Sequence, residues 1–279
     1  MLEWAGDDAR TVIVLHGYLD HSASFVTLGD ALAARGHRVL APDFRGHGRS
    51  GWAPEGAYYH FPDYVADLAG VLAHLAPAER VTRWSLVAHS MGGTVATILA
   101  GVFPERVRAL VLLEGSGPSA MPVEAVPMRY RRWIEGVSSP RARERRRIES
   151  IEEAVDRLRA THGGAVPDAV LTVAARELVE PHPSGQGLTW RFDPLHQTTS
   201  PARFDAKAFA HLAERIDAPT LLVEGEHSPF VSLTTDERRA SYRRHERITV
   251  PEAGHMMHWT HPDAVSGLVC AFLARADST

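Results

Sequence analysis

At 279 residues, 44% hydrophobic and 23% charged, the chain has the makeup of a folded domain with a substantial core and not that of a disordered segment. Its formal net charge of −4, from 30 basic and 34 acidic side chains, excludes the broad cationic field expected of a nucleic-acid binder. Cys270 is the single cysteine, which excludes an intrachain disulfide and a metal centre built on cysteines.

The opening residues, Met1 to Asp8, have no basic start followed by an apolar run, and no apolar stretch of about 18 residues follows. The expectation is a cytoplasmic protein with no membrane partner. Along the chain, apolar strand-like runs at 11–15, 38–41, 85–88 and 109–113 are separated by helix-spaced segments at 26–35, 64–75 and 91–103. The same rhythm resumes late, with a helix at 204–216, strands at 220–223 and 247–250, and a helix at 262–275. Strand then helix, repeated, predicts an α/β fold with a doubly wound, mostly parallel sheet.

Between 116 and 201 the strand signals vanish. Two arginine-rich helical segments, near 127–137 and 140–161, read as an inserted helical cap, so residues 1–115 and 202–279 form the core and 116–201 the cap. The run from Arg141 to Arg147 is interleaved and followed by Glu144, Glu149, Glu152, Glu153 and Asp156, which reads as a solvated helix face and not a phosphate-binding patch. A loop rich in Pro, Gly and aromatic residues, 180–194, is expected to line a pocket without regular structure.

The chemistry is concentrated at three places. Ala88-His89-Ser90-Met91-Gly92-Gly93 joins a strand to a helix with small residues around Ser90, the pattern of a sharp turn that presents a serine hydroxyl at a helix N-terminus. Taken alone, the same pattern describes a serine that merely caps a helix. Val14-Leu15-His16-Gly17-Tyr18 ends another strand, where the Tyr18 N–H is placed to join the Met91 N–H as an oxyanion donor. Near the end, Ala253-Gly254-His255 offers His255 as general base, with His258 and His261 as lesser alternatives. The glycine-rich turn Asp43 to Ser50 reads as structural, and its His47 as a loop hydrogen-bonder.

Serine, cap and histidine in this order resemble the α/β-hydrolase superfamily over nearly the whole chain, and the phrases Leu112 to Pro118 and Arg191 to Leu195 resemble its serine-hydrolase-like branch. The resemblance implies a hydrolase that attacks a carbonyl through Ser90 and His255, with no metal or organic cofactor. It also exposes a gap. Most members carry the acid that orients the histidine in a Gly-x-x-Asp-Pro turn, and here that turn reads Gly225-Glu226-His227-Ser228-Pro229. Glu114, closing the strand beside the one that bears Ser90, is the first candidate for the missing acid; a subset of haloalkane dehalogenases is similar, although their nucleophile is aspartate. Glu226 is the chief rival and Asp236 a third, while Glu114 has a second reading as a hydrogen-bonder supporting the elbow.

The expected substrate is a small or medium hydrophobic ester, lactone or thioester, with Trp133, Trp190, Phe192, Phe230, Met256 and Trp259 as candidate apolar walls and His21 as a polar contact. The same residues would also serve carbon–carbon hydrolysis, lyase, acyltransferase or cyclase chemistry. A non-catalytic ligand-binding protein on the same scaffold is the alternative from a different class. Oligomeric state is not legible in the sequence.

Overall fold

The computed structural model describes residues 1–79, 83–139, 141–162, 166–231 and 235–278. Seven strands form one sheet in the order β1-β3-β2-β4-β5-β8-β9, where β1 is Leu2–Trp4, β2 Asp7–Leu15, β3 His37–Ala41, β4 Trp84–His89, β5 Val107–Leu113, β8 Thr220–Gly225 and β9 His245–Val250. Only β1 runs antiparallel, against β3; every other pairing in the sheet is parallel.

The central strands are continuous apolar runs because helices cover both faces of the sheet. Alternate residues go to opposite sides. Ile13, Leu15, Leu86, Leu110 and Leu112 join one core with α2 (Phe61–Glu79) and α3 (Met91–Val102). Val12, Val14, Val87, Val111 and Leu113 join the other with α1 (Val26–Ala33) and α10 (Pro262–Ala276). The register pairs Leu15 with Ala88 and His89 with Leu113, so β2, β4 and β5 end level at one edge. That edge, at the carboxyl ends of parallel strands, is where open α/β sheets bind ligands.

The segment 116–201 holds α4 (Val126–Val137), α5 (Ile151–His162), α6 (Asp168–Leu178) and a two-stranded antiparallel sheet of β6 (Val179–Pro181) and β7 (Leu188–Trp190). A small core of its own, including Leu158, Leu171, Ala175 and Leu178, packs against Met256 of the main body. The chain is completed by α7 (Ala206–Glu214), α8 (Asp236–Ala240) and α9 (Met257–Thr260).

Three expectations are corrected here. The 180–194 stretch is not wholly irregular: 179–181 and 188–190 pair as a short hairpin, and three-residue strands carry too little alternation to be read from sequence. The helix expected over 140–161 begins only at Ile151, and its predicted start, Pro140, lies outside the described residues. The arginines before it are not on a helix, although Arg141 and Arg147 are solvated and pair with Glu144 and Glu149. Arg143 bonds the carbonyls of Ala53, Pro54 and Ala57 and the buried Asp193, while Arg145 pairs with Glu180. These bonds to distant backbone hold 141–147 irregular. The strand β1 and the helix α6 carry no expectation from sequence.

Candidate active site

Ser90 closes β4 and opens α3 with φ 49° and ψ −113°, a left-handed backbone that costs a non-glycine residue about 1–3 kcal/mol. The turn is held because its neighbours permit close approach: a Cβ on Gly92 would sit 2.6 Å from the His16 carbonyl oxygen and 2.7 Å from that of Leu15. Ser90 N–H donates to the Leu113 carbonyl at 3.1 Å, tying the elbow to the end of β5.

The very next residue on β5 is Glu114, also at φ 49°, whose own N–H donates to Val223 of β8. Its carboxylate is buried and accepts three hydrogen bonds: Gly225 N–H on Oε1 at 2.8 Å, and Ser228 O–H and His255 Nδ1–H on Oε2 at 2.5 and 2.7 Å. A carboxylate facing Nδ1 fixes that nitrogen as the protonated one. The other ring nitrogen, Nε2, is then the acceptor that faces Ser90 Oγ at 3.1 Å. Ser90, His255 and Glu114 are thus one continuous hydrogen-bonded chain.

The competing carboxylates are engaged elsewhere. Glu226 is exposed and accepts from Glu252 N–H at 3.0 Å, and Asp236 pairs with Arg239 at 2.8 Å. Glu224, at the end of β8, is buried between Arg239 and Arg247. His261 bonds Thr260 Oγ1.

The His16-Gly17-Tyr18 loop lies directly on the elbow. A Cβ on Gly17 would meet His89 Nδ1 at 2.6 Å and Ser90 Cβ at 3.4 Å, so only glycine lets this backbone pass. His16 donates from Nδ1 to the Gly17 carbonyl and accepts on Nε2 from Phe44 N–H, which joins the loop to the Asp43–Ser50 turn; its burial depresses its pKa. Asp43 in turn accepts from Ser22 N–H and Arg49 N–H. His47 is fully buried and bonds the Arg45 carbonyl, as a loop residue.

Behind His255 lies a group in which only His258 carries an expectation from sequence, as a lesser alternative base, and it faces Asp20 instead of Ser90. His89 Nε2–H donates to the His255 carbonyl at 3.0 Å, and the His89 ring lies 4.3 Å from that of His258, which donates to Asp20 at 3.2 Å. Burial, then the neighbouring His258 and His255, push His89 well below the ordinary histidine range. Burial alone would raise the Asp20 carboxyl, but the His258 hydrogen bond and the adjacent imidazoles overcome it and hold that group well below the usual carboxylate range. Asp20, His89 and His258 bring donor atoms within 4.8 Å of one another, the residue types of a metal site; the Nε2 atoms are engaged by the His255 carbonyl and Asp20, while the buried Nδ1 atoms of both histidines have no hydrogen-bond partner among the described residues. Each lies within three positions of Tyr18, Ser90 or His255, the only sequence signal available for them.

Two cavities meet at Ser90, of about 780 and 1060 Å³, and both are lined by Tyr18, Ser90, Phe230 and His255. Met91 lines the first; Trp190, Phe192, Met256 and Trp259 line the second. Two expectations fail. Trp133 lines neither cavity among the described residues; its ring packs edge-on to Tyr58 and Tyr130, and it is Tyr58 that faces the first cavity. His21 is buried, accepts from Ala23 N–H to cap a 3₁₀ turn, and lines neither cavity.

Residues 10–164 match the model of the α/β hydrolase fold family. The chain belongs to the α/β hydrolase family. Within it the chain falls in the serine-hydrolase-like branch: a serine hydrolase-like protein of Danio rerio is 29% identical over 97% of this chain and 83% of its own length. A 3-hydroxybutyrate-oligomer hydrolase of Cupriavidus necator is 28% identical over 95% of this chain and 89% of its own. Among solved structures, a hypothetical protein of Pseudomonas aeruginosa superposes with a TM-score of 0.82 at 31% identity, covering 96% of this chain and 92% of that one. With these relatives, this α/β hydrolase-family chain is a hydrolase. No helix among its described residues is long and apolar enough to cross a membrane.

Proposed function

We propose that this hydrolase cleaves a small or medium hydrophobic ester, lactone or thioester through an acyl-enzyme on Ser90, with His255 as general base and Glu114 as the acid of a Ser-His-Glu triad. The observation that carries this reading is the unbroken hydrogen-bond chain from Ser90 Oγ through both nitrogens of His255 to the buried Glu114 carboxylate. As Oγ attacks the carbonyl carbon, Nε2 takes its proton and Glu114 stabilises the imidazolium. The oxyanion rests on the Met91 and Tyr18 N–H groups, at a helix N-terminus that favours negative charge. His255 then protonates the leaving atom, and water, activated by the same nitrogen, releases the acid.

The first cavity takes the acyl part and the second the leaving group. Met91, Thr94 and Ile98 of α3 line the first, beside the helix end that holds the oxyanion. Gly254, Met256 and Trp259 line the second, on the loop from which His255 delivers its proton. Residues 116–201 act as the cap over both: α4 supplies Arg129 to the first, α5 and β7 supply Leu158 and Trp190 to the second. The name of the Cupriavidus necator relative supports ester cleavage, since oligomers of a hydroxy acid are joined by esters.

A fluorophosphonate probe tests the reading. Wild-type protein is expected to label at Ser90 and the Ser90→Ala variant not to; a folded wild-type protein that fails to label would overturn it in favour of a ligand-binding role. Product analysis with a competing alcohol separates the alternatives: hydrolysis products in excess support the esterase, and transfer products in excess overturn it.

A further inference from the structure

The charges in the first cavity are not balanced. Arg129 of α4 lines it, yet its Nε is buried without an acceptor and its Nη1 has only the thioether sulfur of Met121 at 3.9 Å, a weak acceptor. Arg203 lines the same cavity and donates to the carbonyl of that same Met121 at 3.2 Å. Among the described residues neither guanidinium has a carboxylate within 4 Å, whereas the arginines of the neighbouring segment, Arg143, Arg145 and Arg157, all do. Asp205, also on the cavity wall, feels the charge of Arg203 and is engaged as the cap of α7 by Lys207 and Ala208 N–H. Of the other acids on the wall, Glu114 is bonded to His255 and Glu224 is paired with Arg239 and Arg247, so Arg129 and Arg203 face only Asp205 and one positive charge is left to spare.

We infer that the acyl part of the substrate ends in a carboxylate, held by the Arg129 guanidinium with Arg203 in support, so that the substrate is an ester or thioester of an ω-carboxy acid. The inference rests on the esterase reading of Ser90 and deepens it. A single surplus charge suits a monoanionic carboxylate, and the planar guanidinium fork matches it in shape. The same cavity is lined by Ile98, Leu112, Phe204, Phe209 and Leu212, apolar surface that accommodates a methylene chain. A guanidinium on the wall of an apolar cavity is less screened than one in water, so its pull on the carboxylate is correspondingly strong. It carries selectivity and takes no part in bond making.

The test compares p-nitrophenyl monoesters of straight-chain dicarboxylic acids, from adipic to sebacic, with the same esters whose free carboxyl is capped as a methyl ester. Wild type is expected to favour the free carboxylate at its best chain length by about tenfold or more in kcat/KM, chiefly through KM, and to lose that preference as salt is raised. Arg129→Gln is expected to bring the ratio of kcat/KM for free over capped esters down to about one, Arg129→Lys to restore part of it, and Arg203→Gln to reduce it. Turnover of capped esters with no carboxylate preference at any length would overturn the inference alone, as would a preference that survives the Arg129→Gln Arg203→Gln double variant. Absence of turnover of either series, with no fluorophosphonate labelling of Ser90, would overturn the esterase reading and this inference together.

Discussion

The hydroxyl of Ser228 donates to Glu114 Oε2 at 2.5 Å, on the same carboxylate oxygen that faces His255. The Gly225–Pro229 turn, where the family resemblance implies an aspartate, therefore touches the carboxylate that faces His255 as a hydrogen-bond donor. The carboxylate that faces His255 stands at the end of β5 and not in the loop after β8, and Ser228 of that loop solvates it. Because Ser228 is buried, it supplies a donor that water would otherwise provide.

Glu114→Gln keeps the shape of the side chain but removes the charge that stabilises imidazolium and fixes its tautomer. By analogy with neutralising a triad acid, kcat is expected to fall by about 10²- to 10⁴-fold, with Tm changed by only a few degrees. Glu226→Gln, altering an exposed carboxylate bonded to the Glu252 N–H, is expected to leave kcat within about twofold of wild type. Steady-state kinetics on the two variants decide between them, and equal losses would remove Glu114 from its assigned role.

Ser228→Asp places a second carboxylate against Glu114 and is expected to lower activity by like-charge repulsion. In the Glu114→Gln background the sign reverses. The new aspartate then faces a neutral amide within reach of His255, and kcat is expected to recover at least about tenfold over Glu114→Gln alone. A double variant no better than the single would mean that position 228 does not reach the imidazole.

Asp20→Asn unpairs His258 in a site closed to water, and the His258 ring packs, tilted by 46°, against the His89 ring that holds the His255 carbonyl. The expected cost is about 2 kcal/mol or more in urea unfolding, together with a several-fold loss of kcat as the His255 loop loosens. Unchanged stability would show that the Asp20–His258 pair is idle.

Stability is expected to fall as the solution is acidified from about pH 6.5 towards 4. Burial depresses His196 to about 4 and lowers His16, His47 and His89 as well, so the unfolded chain binds protons that the folded one refuses. Unfolding is favoured wherever the unfolded state holds more protons, and for a histidine with a depressed pKa that window opens on the acid side of its unfolded value. His196 alone corresponds to roughly 3 kcal/mol lost by pH 4. Asp20, depressed for the opposite chemical reason, adds a loss of the same sign below its unfolded value. Urea titrations at several pH values measure the slope, and a His196→Asn variant is expected to flatten it by about one proton.

The sequence by itself determined the parts of this protein that are local or repetitive. Fully buried parallel strands need unbroken apolar runs, so 11–15, 85–88 and 109–113 were legible as such. The Ser90 turn needs small neighbours within a few positions, and those are written in one phrase. Contacts between distant segments were not. The convergence of Ser90 and Glu114 on His255 spans 165 and 141 residues, and the parallel register of β4, β5, β8 and β9 brings the strand ends that carry them together. Trp133 has an apolar side chain whether it faces a cavity or packs on Tyr58, and Arg129 has the same charge with or without a partner. What decides such residues is which neighbours reach them. That depends on how α4 lies over the sheet edge, and no pattern of hydrophobic spacing encodes it.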